Sequence, residues 1–390
     1  LNAGSSSVKW ALFRAGSPPA RVAAGKLERI GLSEGIVTVT NAVTGEKDRR
    51  TMPLAGHAVA VQVLVDQLSR YSGEGEIQAV GHRVVHGGSL YTDPVLLSRD
   101  VMDELHRLSP YDPEHLPAEI SLMETFVKQY PSAPQVACFD TGFHQHLPRV
   151  ASILAIPRRY EANGIRRYGF HGLSYAYLLA ELDRIAGSAA ARGRVIMAHL
   201  GNGASMVAVR DGQSVDTTMG FTPASGFPMS TRSGDLDPGL FPYLTKTEGM
   251  TAEQFQHMVN AQSGLLGVSE ISPDMKDLLE QEHRDPRAAE AVALFCYQGK
   301  KWIGAYAAAL GGVDQLVFSG GIGEQAPAIR ARMCEGLAFL GIRLDQAANR
   351  AGAAVISNPD SRVTVRVMHT DEEIQIAQSV CRLLGVGPIH

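Results

Sequence analysis

Gly4-Ser5-Ser6-Ser7-Val8-Lys9-Trp10-Ala11-Leu12 can be laid over Gly201-Asn202-Gly203-Ala204-Ser205-Met206-Val207-Ala208-Val209. Both stretches read as a strand end, a turn of small residues and a return strand. A further glycine follows each, Gly16 in one and Gly212 in the other. The overlay predicts an internal duplication: two related α/β domains, each offering a small-residue hairpin turn to a shared cleft. With 390 residues the chain is too long for one ordinary core, which agrees with two domains.

Working outward, strand-like runs alternate with helical ones, the pattern of an α/β protein. Val8–Phe13 is predicted as the return strand of the first hairpin. Gln78–Val85 and Gln135–Asp140 read as short apolar strands with polar ends, and Val195–Leu200 as a buried strand before Ser205–Arg210. Gln315–Ser319 is a strand leading into a glycine cluster and a helix from Pro327. Val363–Met368 is a late strand. Helices are expected over Pro117–Tyr130, Leu173–Ala186, Ala288–Leu310 and, closing the chain, Glu372–Leu384. The first residue is Leu1, and the chain is expected to open inside its first strand.

Charge and cysteine usage exclude several classes. The net charge is −4 with Lys and Arg scattered, so no basic run points to nucleic acid and no acidic tail to a charged partner. Cys138, Cys296, Cys334 and Cys381 lie far apart without a C-x-x-C pair, which argues against a zinc or redox motif and fits a reducing cytosol. No apolar run is long enough to span a bilayer. The expectation is a cytoplasmic enzyme with no nucleic-acid or membrane partner.

Three turns suit phosphate. Asn2-Ala3-Gly4-Ser5-Ser6-Ser7-Val8-Lys9 offers bare backbone, hydroxyls and a cation, without Walker A spacing. His199-Leu200-Gly201-Asn202-Gly203 ends a strand, and Gly320-Gly321-Ile322-Gly323-Glu324 follows another; neither has Rossmann spacing. Each alone could be an ordinary Gly/Ser turn, but three in one chain favour a nucleotide.

Charged residues at strand ends form the second group. Gly81-His82-Arg83-Val84-Val85-His86-Gly87-Gly88 sets Arg83 in an apolar run, where a cation needs an anionic partner. His82 and His86 have metal-like spacing, but the β-branched run and flanking glycines argue for strand and turn. Asp140, in Phe139-Asp140-Thr141-Gly142-Phe143-His144, sits at a strand tip and reads either as a turn cap or as a ligand carboxylate. His171, in Arg166-Arg167-Tyr168-Gly169-Phe170-His171-Gly172, reads either as a core histidine or as a functional one. Arg232, in Met229-Ser230-Thr231-Arg232-Ser233-Gly234-Asp235-Leu236-Asp237-Pro238-Gly239, suits an anion clamp, with Asp235 and Asp237 bracing the loop. Thr370-Asp371-Glu372-Glu373 reads either as a helix cap or as a magnesium carboxylate.

In order and along almost the whole chain, these motifs resemble the acetate kinase family. The resemblance rests on residues 2–9, 81–88, 139–144, 166–172, 199–203, 229–239, 320–324 and 371–373. It implies the fold of the acetate and sugar kinase, heat-shock chaperone and actin superfamily: two duplicated ribonuclease H-like (actin-like ATPase) domains with a nucleotide cleft between them. The domains would be 1–141 with 371–390, and 142–370, the second carrying the nucleoside pocket and a dimer interface. The last helix would return to the first domain. The implied activity is reversible phosphoryl transfer from ATP to acetate, with ATP/ADP as co-substrate, Mg²⁺ or Mn²⁺ as metal, and a homodimer as the working form. Propionate or butyrate kinases, and a non-enzymatic nucleotide switch on the same fold, are the alternatives.

By residue, the resemblance implies that Arg83 and Arg232 hold the substrate carboxylate and the moving phosphoryl group, with His171 donating a hydrogen bond. Asp140 would be the catalytic carboxylate, and Asn2 and Glu372 would position the metal. Lys9 and His199, Leu200, Gly201, Asn202 and Gly203 would contact phosphates. Asp274, Met275 and Lys276, with Gly320, Gly321, Ile322, Gly323 and Glu324, would hold the nucleoside. Val85, Phe170 and Pro223 would line the acyl pocket.

The chain departs from the family at Ser109-Pro110-Tyr111-Asp112-Pro113, which is about one residue shorter than usual and lacks a histidine. Leu173-Ser174-Tyr175 replaces the usual T-S-H, Lys276 stands where Arg is usual, and Gly142 and Gln325 are milder changes. The first departure bears on acyl-chain preference. The change at Lys276 bears on the nucleoside, because Arg stacks on a base better than Lys.

Overall fold

The computed structural model describes residues 1–4, 7–72 and 76–386. Ser5 and Ser6 of the first turn lie outside them. The chain divides into two compact units: residues 1–142 with the chain from Asp371 onward, and Phe143–Thr370.

Unit 1 contains β1 (Asn2–Ala3), β2 (Ser7–Arg14), β3 (Ala20–Glu28), β4 (Gly35–Asn41) and β5 (Lys47–Met52), an antiparallel series in that order. A second sheet holds β6 (Val80–Val84), β7 (Val95–Leu96) and β8 (Gln135–Phe139) in the order β6-β8-β7. Two backbone bonds join them in the parallel sense: Leu1 N donates to the Gly81 carbonyl (2.7 Å), and Arg83 N donates to the Leu1 carbonyl (2.8 Å). Unit 2 contains β9 (Val195–Leu200), β10 (Ala204–Arg210), β11 (Gln213–Thr217), β12 (Gln315–Ser319) and β13 (Thr364–Val367), ordered β11-β10-β9-β12-β13.

The duplication is visible in this order. In both units a hairpin and a third antiparallel strand lie on one side, and two parallel strands on the other. The series β3-β2-β1-β6-β8 corresponds to β11-β10-β9-β12-β13. Each middle hairpin strand also carries a register irregularity, between Leu12 and Phe13 in one and between Ala208 and Val209 in the other. In the overlay these differ by one position.

Local chemistry explains the elements. β9 and β12 are nearly continuous apolar runs, as parallel strands covered on both faces must be. The Pro286–Leu310 helix starts with Asp285 accepting from Arg287 N (2.9 Å) and Pro286 in its first turn, and ends at Gly311 with φ +71°. The Glu372–Leu384 helix has the expected bounds and belongs to unit 1. It packs over β6 because Gly81 has no side chain: a Cβ there would lie 2.4 Å from Ile376 Cγ2. Separate cores fill the units, one around Trp10, Leu27, Leu64 and Phe126, the other around Tyr175, Leu182, Met197 and Val317.

Two expectations need adjustment. Gly320–Gln325 is a short helix rather than an open turn, and the next helix begins at Pro327 as expected. The strand expected over 78–85 is shorter, Val80–Val84, because Val85 N bonds to the Glu119 side chain and not to a strand.

Candidate active site

In unit 1 the site is an ion cluster. β6 and β8 are parallel neighbours with Arg83 opposite Cys138, so Arg83 and Asp140 emerge at the same end. Arg83 Nε and Nη2 donate to Asp140 Oδ2 at 3.1 and 2.6 Å. Arg83 Nη1 donates to Glu119 Oε1 at 2.9 Å. The other Glu119 oxygen accepts from Val85 N, also at 2.9 Å. Asp140 and Glu119 are fully buried. Asp140 therefore pairs with Arg83 and does not merely cap a turn.

One cation is shared by two buried carboxylates, and the proton affinities reflect it. Burial pushes Glu119 up to about 7, with Arg83 and the Val85 amide pulling the other way. Burial also raises Asp140, to about 6; Arg83 opposes this and Glu372 adds to it. Burial disfavours the Arg83 charge, but Asp140, Glu119 and Glu372 outweigh it and hold its pKa above the usual value.

Asn2 and Glu372 meet close to this cluster, where Asn2 Nδ2 donates to Glu372 Oε2 at 3.2 Å. Asp371 caps the last helix by accepting from Ile374 N (3.0 Å), and Arg21 grips both its oxygens at 2.5 and 2.6 Å. The cap reading therefore falls on Asp371, which leaves Glu372 beside Asn2. Lys9 lies opposite Asn2 in the β1–β2 pairing, and its side chain is exposed.

These donors suit a hard divalent cation. Asn2 and Glu372 supply amide and carboxylate oxygens, and Asp140 Oδ1 is buried with no hydrogen-bond partner among the described residues. No cluster of three or more His, Cys, Asp or Glu that could hold a metal occurs among the described residues. Magnesium carried by phosphates and waters needs only one or two carboxylates. His82 and His86 have other tasks: His82 Nε2 bonds to Gln135 Oε1 (2.7 Å) and His86 Nδ1 accepts from Gly88 N (2.9 Å).

In unit 2 the contacts around His171 and Arg232 include backbone and neutral groups. His171 holds a left-handed conformation, φ +58°, at the start of the Gly172–Ala186 helix. Its Nδ1 lies 2.8 Å from Ser205 Oγ, which is 2.5 Å from the Tyr175 hydroxyl. When Tyr175 donates to Ser205 and Ser205 to Nδ1, His171 Nε2 carries the proton and can donate outward. Arg232 Nη1 donates to the Pro223 carbonyl (3.3 Å) and touches Met229 Sδ (3.7 Å). Gly203 connects the two. Its absent Cβ would lie 3.3 Å from His171 Nε2 and 3.5 Å from Arg232 Nη1. Both side chains thus pack against the same glycine of the turn.

The surrounding loop is braced as expected. Ser230 N donates to the Asn202 carbonyl (3.2 Å), tying the Arg232 loop to the 201–203 turn. Asp235 accepts from Gly226 N (2.9 Å) and Asp237 from Gly239 N (2.7 Å). Phe170 is buried, and its carbonyl is bonded by His144 Nε2 at 3.0 Å. Ser319 pairs with His199, so Gly320 begins beside the His199–Gly203 turn. Asp274 caps the Met275–Gln281 helix through Lys276 N (2.8 Å); Met275 is buried and the Lys276 side chain exposed.

Two residues were not singled out from sequence. Arg330, fully buried, donates to the Gly323 and Glu324 carbonyls (both 2.8 Å) and to Asn349, which fixes the short Gly320–Gln325 helix. Glu119 is the other. It sits between Leu116, Ile120 and Met123 on the buried stripe of its helix. A carboxylate on an apolar stripe was the available signal.

The acetokinase family model matches residues 1–378. The acetate kinase of Rhodopseudomonas palustris is 45% identical over 392 residues, 99% of this chain and 98% of its own length. That of Bacillus subtilis is 42% identical over 390 residues, covering 98% of each. Among solved structures, Porphyromonas gingivalis acetate kinase is 38% identical with a TM-score of 0.87, covering 98% of each chain. A propionate kinase from Francisella tularensis is 35% identical with a TM-score of 0.91, covering 97% of each.

Proposed function

We propose that this chain, which belongs to the acetokinase family, transfers the γ-phosphoryl group of ATP to acetate, reversibly, giving acetyl phosphate and ADP. The observation that carries the reading is that His171 Nε2 and Arg232 Nη1 both lie beside Gly203 of the His199–Gly203 turn, 3.3 and 3.5 Å from where its Cβ would stand. A phosphoryl group bound against that turn would meet one neutral and one cationic donor.

The chemistry explains the residue set. Acetate is an anion at neutral pH and already a nucleophile, so the site needs no base to remove a proton. The barrier lies in repulsion between two anions and in charge on the moving group. Arg83 orients the acceptor carboxylate. Arg232 and His171 stabilise the equatorial phosphoryl oxygens during in-line transfer. Asn2 and Glu372 would hold magnesium, which would supply charge neutralisation of the polyphosphate, and Asp140 would face its waters while locking Arg83. Lys9 and the His199–Gly203 turn contact phosphates; Asp274–Lys276 and the 320–324 segment contact the nucleoside. Val85, Phe170 and Pro223 line the acyl pocket.

Propionate is the second reading. It is favoured by the likeness to the Francisella propionate kinase and by the altered 109–113 segment. Incubation with Mg-ATP and acetate, propionate or butyrate, with hydroxylamine to trap the acyl phosphate, tests both. Acetohydroxamate in excess is expected, and ATP hydrolysis without any hydroxamate would sink the reading. A homodimer in the cytoplasm completes the proposal. No helix among the described residues is long and apolar enough to cross a membrane.

A further inference from the structure

Glu119 holds two parts of the acceptor side with one carboxylate. Oε1 takes the Arg83 guanidinium and Oε2 takes the Val85 backbone amide, each at 2.9 Å. Arg83 is the group read above as orienting the carboxylate, and Val85 the one read as lining the acyl pocket. The distance between the clamp and the pocket wall is therefore set by a single buried, bidentate side chain. We propose that Glu119 is a specificity-determining positioning residue, which fixes the depth of the acyl pocket below the carboxylate clamp and so selects short acids.

Its placement supports this. Glu119 projects from the Leu116–Gln129 helix, whose entry is the segment that departs from the family pattern. That entry is itself rigid: Asp112 is buried and bonds His115 through both backbone and ring nitrogen. The His115 carbonyl in turn accepts from Glu119 N at 3.1 Å. The same entry sets the Tyr111 ring edge-on to His86, with centroids 5.3 Å apart, one residue beyond Val85. The altered segment thus reaches the pocket wall twice, through Tyr111 and through Glu119.

A charge effect and a geometric effect of Glu119 can be separated. Every short carboxylate presents the same charge to Arg83, so any electrostatic change cancels in the ratio of two acids. Pocket depth does not cancel, since a single methylene in an apolar pocket is discriminated by about 10-fold or more. Glutamine at position 119 has one acceptor atom for two donors, so either Arg83 or Val85 loses its tether. Aspartate keeps the charge but falls one methylene short of bridging both.

The proposal rests on the reading of the chain as a short-chain acyl kinase. The test measures kcat/KM for acetate, propionate and butyrate, and KM for Mg-ATP, in wild type, Glu119→Gln and Glu119→Asp. Expected is a shift of the butyrate-to-acetate ratio toward butyrate by about tenfold in both variants, with KM for Mg-ATP within about twofold. A uniform loss or gain for all three acids in the soluble Asp variant overturns the positioning role but leaves the kinase reading intact. Wild type that forms no hydroxamate from any acid overturns the kinase reading itself. Should the Gln variant fail to fold, the Asp variant decides alone.

Discussion

The two arginine clusters are built on different physics. Around Arg83 the contacts are ion pairs between buried side chains, with one guanidinium between Asp140 and Glu119. Around Arg232 and His171 the contacts named are a carbonyl, a thioether and a hydroxyl, arranged by a left-handed residue and a bare glycine. Buried ion pairs hold the first cluster, and a left-handed residue and a bare glycine shape the second. Damage to the first should therefore cost stability and activity together, whereas damage to the second should cost activity.

The largest expected effect is at Arg83. Arg83→Ala leaves Asp140 and Glu119 buried without their cation, a change that costs about 3–5 kcal/mol. Urea denaturation should show that loss together with near-complete loss of acyl phosphate formation. Undiminished stability would mean that the cluster is not the buried ion triad described.

His171→Asn should affect catalysis and leave stability alone. Asparagine tolerates φ +58° but is too short to present a donor where Nε2 lies. The rate of transfer should fall by about 10²-fold, while the denaturation midpoint stays near that of wild type. A large loss of stability would place His171 in the core after all.

The smallest effect is a pH dependence peculiar to unit 1. Glu119 titrates near 4.5 in an unfolded chain and near 7 here. Folding therefore favours the protonated form, so this contribution to stability is full below pH 4.5 and is lost as pH rises through 7. Between pH 5 and pH 8, wild type should lose on the order of 2 kcal/mol more than Glu119→Gln. Equal slopes for the two proteins would contradict the burial cost assigned to this carboxylate.

The same contrast explains what was legible in the sequence. Backbone-built features leave short motifs: the two hairpins, the strand Gln315–Ser319 and the last helix Glu372–Leu384 all fell at or near the expected residues. Glycines and caps mark them locally. Charge-built features depend on partners far along the chain. The need of Arg83 for a carboxylate was readable, but Glu119, 36 positions away, was not. β5 was invisible for another reason: Lys47-Asp48-Arg49-Arg50 is exposed throughout and shows no alternation of apolar and polar residues. Gly320–Gln325 looked like an open turn because nothing local announces Arg330 gripping its carbonyls.

On the proposed mechanism Arg232 acts on the moving phosphoryl group and not on the resting nucleotide. Single-turnover rapid quench with Mg-ATP and saturating acetate, alongside the equilibrium dissociation constant of Mg-ATP, tests it in wild type and Arg232→Ala. The variant is expected to bind Mg-ATP within about threefold of wild type and to form acyl phosphate about 10³-fold more slowly. Equal losses in nucleotide affinity and transfer rate would contradict it.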